Sequence, residues 1–223
     1  MIDCNTLAGY VLYLQNSLDC HNINFVSPSH FVPQILKALL EAIPMGLKIP
    51  LIYNTNSFDS TETLKELEGI IDIYLPDLKY ASDRYAQRFS KARHYVIHSR
   101  DAIKEMYRQV GKLVVDDCGL AQRGLIVRHL VLPNNIAGSR QSFKWLAEEV
   151  SPQVTISLMS QYSPIYKAHN HPPLARPINK TEYTEAFRAM EEAGLEEGWV
   201  QSLASHKHYI PDFESKSHPF EFA

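Results

Sequence analysis

Long apolar runs are missing from this chain of 223 residues. No stretch approaches the roughly 18 residues needed to cross a bilayer as a helix, so a membrane-spanning role is not expected. The opening MIDCNTLAGY lacks the basic flank and apolar stretch of a secretory leader. Cysteine is scarce. Cys4, Cys20 and Cys118 are odd in number and widely scattered, which argues against a disulfide framework and for a reducing cytosol. No pair has C-x-x-C spacing, so each reads as an ordinary thiol. A basic excess is absent as well: 22 Lys+Arg stand against 25 Asp+Glu, a net charge of −3, which speaks against a general nucleic-acid binder. G-x-S-x-G, Walker-type, G-x-G-x-x-G and H-E-x-x-H motifs do not occur, and no nucleophile–base pair supports a hydrolase or isomerase.

What is present is an alternation. Short, nearly continuous apolar strands begin near residues 23, 51, 70, 125 and 154. Amphipathic helices lie between them, near 32–43, 61–67, 82–89, 101–110, 142–150 and 182–193. That order predicts βαβ units and a parallel sheet, an α/β fold of barrel or doubly wound type. A first helix carries Leu7, Val11, Leu14 and Leu18 on one face, with Asn5 as its cap. Leu113–Val115 reads as a short extra strand. Residues 1–203 form the barrel-like domain, and the aromatic tail 204–223 is expected to pack on it. The chain opens on a helix where a β-first fold would open on a strand, so the first strand is expected to be missing.

In parallel α/β folds ligands gather at the C-terminal ends of the strands. Those ends are polar here: Ser27–His30, Asn54–Asn56, Asp77 with Lys79, Asn134–Asn135 and Ser160–Tyr162. Together they favour a site for a polar ligand. Arg128 and His129 interrupt an otherwise apolar strand. A buried Arg128 needs an anionic partner, either Asp72 or Asp77 or a ligand carboxylate. His129 reads as a satisfied core histidine. Asp77 and Lys79 share one side of a strand exit, either as a plain surface ion pair or as a cradle for an anion and a cation. The pairs His169/His171 and His206/His208 lie in irregular segments without carboxylates at ligand spacing, so no metal site is expected.

Several strings also resemble a known family. His21–His30 (HNINFVSPSH), Ile52–Thr55 (IYNT), Asp72–Tyr80 (DIYLPDLKY), Glu105–Gly111 (EMYRQVG), Arg123–Pro133 (RGLIVRHLVLP) and Ser160–Tyr162 (SQY) occur in order. They are similar to radical S-adenosylmethionine proteins, in the branch labelled pyruvate formate-lyase activating enzyme-like. The resemblance implies a partial (β/α) barrel, an iron–sulfur dependent oxidoreductase or activase, and a small-molecule or protein substrate. It also implies cofactors, namely S-adenosylmethionine and a [4Fe–4S] cluster held by C-x-x-x-C-x-x-C. By that resemblance Lys79 and Arg128 fall on positions contacting S-adenosylmethionine. Asn54, Thr55 and Asp77 fall where a cation sits beside the ligand carboxylate, with Asn54 in place of an aspartate. The cysteine motif is absent from this sequence, so the chain as written is not expected to hold the cluster, and it reads as beginning after the cluster loop. The alternative is a non-catalytic barrel remnant that binds a ligand or a protein.

Overall fold

The computed structural model describes residues 2–203. The tail 204–223 expected to pack on the domain, with His206 and His208, lies outside the described residues. The fold is α/β. Its strands are β1 (Ile23–Val26), β2 (Leu51–Thr55), β3 (Ile73–Pro76), β4 (Val114–Val115), β5 (Ala121–Leu130), β6 (Thr155–Met159) and β7 (Gly198–Val200). The helices are α1 (Cys4–Asn16), α2 (Val32–Ala42), α3 (Thr61–Lys65), α4 (Asp83–Ser90), α5 (Tyr95–Val110), α6 (Ser139–Glu149) and α7 (Lys180–Glu192). The strand path runs β1-β2-β3-β5-β6-β7. The β1–β2, β2–β3, β3–β5 and β6–β7 pairs are parallel, and β4 lies antiparallel on β5. Among the described residues this path does not close, as a partial barrel requires.

The chain divides into two compact units. One comprises the chain up to Pro76 with His98–Ile126, the other Asp77–Ile97 with the chain from Val127 onward. In the first unit every residue of β2 is buried, as expected of a parallel strand covered on both faces. Tyr53 and Tyr74 meet edge to face with centroids 5.7 Å apart. Asp72 sets the start of β2: its Oδ2 accepts the Leu51 N–H at 2.8 Å. α1 packs on α2 through Ala8, Leu12, Ala38 and Ala42.

The buried face of α1 is Ala8, Val11, Leu12 and Gln15, and its cap is Asp3, which accepts the Thr6 N–H. This corrects the face through Leu14 and Leu18 and the cap at Asn5. The displaced stripe has a physical cause in Gln15. Its Oε1 accepts the N–H groups of Lys48 and Ile49, and its Nε2 donates to the Gly46 carbonyl. A polar side chain is thereby buried at no loss of hydrogen bonds.

In the second unit the core gathers Tyr80, Ala86, Tyr95, Leu132, Ile136 and Leu174. α7 begins with a reciprocal capping box between Asn179 and Glu182. Glu182 also takes Arg176 in an ion pair and accepts the Asn134 N–H. Arg176 is the leading cause that holds the Glu182 carboxyl down at about 2.

Candidate functional site

The second unit builds its site where the chain leaves β3. Asp77 and Arg128 form a single parallel bridge, and the Leu78 N–H donates to the Arg128 carbonyl at 2.9 Å. This backbone pairing carries the side chains into contact. Arg128 Nε and Nη2 lie 2.7 and 2.6 Å from Asp77 Oδ1. Lys79 Nζ lies 3.2 Å from Asp77 Oδ2. One carboxylate thus sits between two cations, leaving a surplus positive charge. The partner of Arg128 is Asp77, while Asp72 serves the backbone of β2. Arg128 is half-buried, its side chain 27% exposed. That strand face borders a cavity, so the condition under which the guanidinium would be buried, a strand covered on both sides, is not met there.

The cavity measures about 330 Å³. Asp77, Lys79 and Arg128 line it together with Leu130, Met159 and Tyr162. Its wall therefore combines one net cationic group with apolar and aromatic surface, the composition of a pocket for a small polar ligand. Gln161 and Tyr162, expected among the polar strand ends, also line it.

Two residues hold the Asp77–Lys79 segment. Tyr95, missed in the sequence, accepts the Lys79 N–H at 2.9 Å and donates to the Asp77 carbonyl at 3.0 Å. The sequence pattern starts this helix at Asp101, whereas α5 begins at Tyr95, so nothing in the sequence marked it. Removing that hydroxyl takes one hydrogen bond from each of two half-buried backbone groups, so Tyr95→Phe is expected to cost about 1–2 kcal/mol in urea titration. A loss below a few tenths would mean that the bridge holds nothing. His129 is fully buried between Leu78 and α6. Its Nδ1 lies 2.8 Å from the Leu78 carbonyl and its Nε2 2.9 Å from Ser139 Oγ. A carbonyl only accepts, so Nδ1 carries the proton and Nε2 accepts from Ser139. This is the satisfied core histidine expected from the sequence.

Asn54 and Thr55 belong to the first unit. Both are buried within β2 and do not form its exit loop, because the ladder to β3 continues through Thr55–Pro76. The Asn54 carbonyl accepts the Ser27 N–H at 2.8 Å. Thr55 Oγ1 donates to Asp59 and accepts the Ser57 N–H. Asp59, unread in the sequence, is a buried carboxylate that also accepts from Tyr53 and Ser29. Burial and then the charge of Asp59 push the Tyr53 phenol far above its ordinary range. Cys4 and Cys20 are half-buried and Cys118 is exposed in the turn between β4 and β5. Among the described residues no three His, Cys, Asp or Glu side chains gather as a metal-ligand set. No helix of the described residues is long and apolar enough to cross a membrane.

Comparison with solved structures bears on this geometry. A crystal structure of a domain of pyruvate-formate lyase-activating enzyme from Bacteroides vulgatus superposes with a TM-score of 0.55 at 12% identity, over 81% of this chain and 98% of that one. The two share a fold. In sequence, the chain is 28% identical over 176 residues to an uncharacterized protein of Methanocaldococcus jannaschii. That match covers 78% of this chain but 47% of the archaeal protein, so the chain spans under half the length of its relative. No family model matches the sequence.

Proposed function

We propose that this chain is a radical S-adenosylmethionine-type protein of the activating-enzyme-like branch, and that the cavity at Asp77, Lys79 and Arg128 binds S-adenosylmethionine. The observation that carries the reading is the placement of one carboxylate between two cations at the ends of parallel strands, on a fold shared with an activating-enzyme domain. The residues fit such a ligand. Arg128 keeps Nη1 without a partner among the described residues, and a guanidinium is suited to a ligand carboxylate. Lys79, more exposed, suits an anion or hydroxyl, and Asp77 suits an amine. Leu130 and Met159 supply an apolar wall beside the charged groups. Asn54 and Thr55 are cofactor-binding candidates by resemblance. Thr55 has the weaker support, since its hydroxyl is already engaged with Asp59.

Beside an iron–sulfur cluster, that ligand supplies one-electron chemistry. The thiols of this chain do not fit the cluster: they lie on α1, ahead of β1, and in the β4–β5 turn. That scatter favours a second reading, a barrel that binds its ligand without redox chemistry.

Equilibrium dialysis of labelled S-adenosylmethionine against the full chain tests the first reading. Binding is expected, and Arg128→Gln is expected to weaken it roughly 10- to 100-fold through loss of a charge-assisted hydrogen bond. No binding by the wild-type chain, or equal binding by the variant, removes the assignment. Iron and sulfide content after anaerobic reconstitution separates the two readings. About four irons per chain would support the enzyme, and none would support the binding protein.

A further inference from the structure

Two stretches without acidic residues come together in the second unit. Residues 84–94 hold Arg84, Arg88, Lys91 and Arg93 and no Asp or Glu; residues 150–181 hold Lys167, Arg176 and Lys180 and again none. They meet where Phe89 and His171 touch edge to face, with centroids 5.5 Å apart. Phe89 and Ala168 pack on the same apolar cluster. Arg84, Arg88 and Lys91 follow one another at i, i+4 and i+7 along α4 and its cap, so they form one stripe. All three are exposed, as is Lys167.

Three other arginines of this unit have partners, Arg128 with Asp77, Arg140 with Glu192 and Arg176 with Glu182, while Arg188 stands exposed on α7 with no second cation beside it in sequence. Among the described residues none of Arg84, Arg88, Lys91 or Lys167 has an ion pair. Like charges gathered on one face without counter-charge repel one another. In a chain of net charge −3, their concentration is a local feature and not an average one.

We infer that this face of α4, with the adjoining loop around Lys167, docks a carboxylate-rich segment of a partner protein. Arginine forks match carboxylates bidentately, and the stripe spans a length that an extended acidic peptide can follow. Nucleic acid is the poorer fit. Single strands need open aromatic platforms for their bases. Here Phe89 is stacked on Tyr85, met by His171 and covered by Arg88 at 5.1 Å. Tyr166, 82% exposed, already carries Lys167 at 5.2 Å over its ring.

Fluorescence anisotropy of the full chain with a short labelled peptide alternating Glu and Ser tests the surface, with oligouridylate as the competing probe. The peptide is expected to bind at low ionic strength and to weaken with added salt. The variant Arg84→Gln/Arg88→Gln/Lys91→Gln is expected to lose about tenfold or more in affinity. Lys37→Gln/Lys48→Gln/Lys144→Gln removes the same charge from exposed positions elsewhere and is expected to stay within about twofold. Equal losses in the two variants, no peptide binding, or tighter binding of oligouridylate overturns the proposal. If the triple variant fails to fold, Arg84→Glu/Arg88→Glu replaces it. That pair is expected to transfer binding to the peptide with Lys in place of Glu, and failure of the transfer also overturns it.

Discussion

Acidification from pH 6.5 to pH 4 is expected to remove about 3 kcal/mol of folding stability through His129 alone. Burial, partly offset by the hydrogen bond to Leu78, lowers its pKa from 6.5 to about 4. The folded state therefore keeps the ring neutral where the unfolded chain takes up a proton. Between these two values the unfolded state binds more protons, so stability is complete above pH 6.5, falls as pH falls, and levels off below pH 4. Glu105 and Glu182, both held at about 2 from an ordinary 4.5, lose their own contributions only below pH 4.5. The window from pH 6.5 to 4.5 thus isolates the histidine. Urea midpoints across it should slope in the wild-type chain and flatten in His129→Gln, which titrates nowhere in that range. A flat wild-type profile, or the same slope in both proteins, would show that His129 is not the responsible group. The consequence reaches the site, because the carbonyl bonded by Nδ1 belongs to Leu78, between Asp77 and Lys79.

Leu51–Tyr53 of β2 was legible because a parallel strand buried at every residue is a nearly continuous apolar run. Ile23–Val26 matches β1 residue for residue. β7 was not legible: Gly198–Val200 is three residues long and exposed throughout, so neither length nor periodicity marks it. Asn54 and Thr55 read as a polar strand end open to a ligand because their side chains are polar. Their backbone continues the ladder regardless, and the Asp59 carboxylate four residues on accepts from the Thr55 hydroxyl and makes its burial tolerable. Asp59 illustrates the general difficulty. An acid is admitted to the interior only when donors surround it, and its donors come from residues 29, 53 and 55, on two separate elements. The pairing of Arg128 had two candidates within the chain, Asp72 and Asp77, beside a ligand carboxylate. The choice between them followed from a backbone bridge, which composition does not encode.

Gly124→Ala is expected to cost about 4 kcal/mol, most of the stability of a protein at the low end of the ordinary range of about 5–15 kcal/mol. Two effects add. The residue has φ +130°, a conformation that side chains rarely adopt. A methyl group there would also lie 2.5 Å from Leu113 Cα, 2.6 Å from the Lys112 carbonyl oxygen and 2.7 Å from the Leu113 nitrogen. All three are backbone atoms, so no rotamer change relieves the contact. Nor can the residue slide away. Its N–H donates to the Asp72 carbonyl at 2.9 Å, and it pairs in register with Ile73 of β3. An alanine must either push residues 112–113 off β5 or break the first pairing of β3 with β5. Gly119→Ala is the matched control. It also sits at positive φ, +79°, but nothing lies within 4 Å of an added methyl, so only the conformational cost of about 1 kcal/mol applies. Thermal or urea unfolding of the two variants should therefore separate by several-fold in their losses. Equal losses would mean that β5 can shift at Gly124 without cost. The strand would then be too compliant to hold Arg128, four residues further along, in register with Asp77.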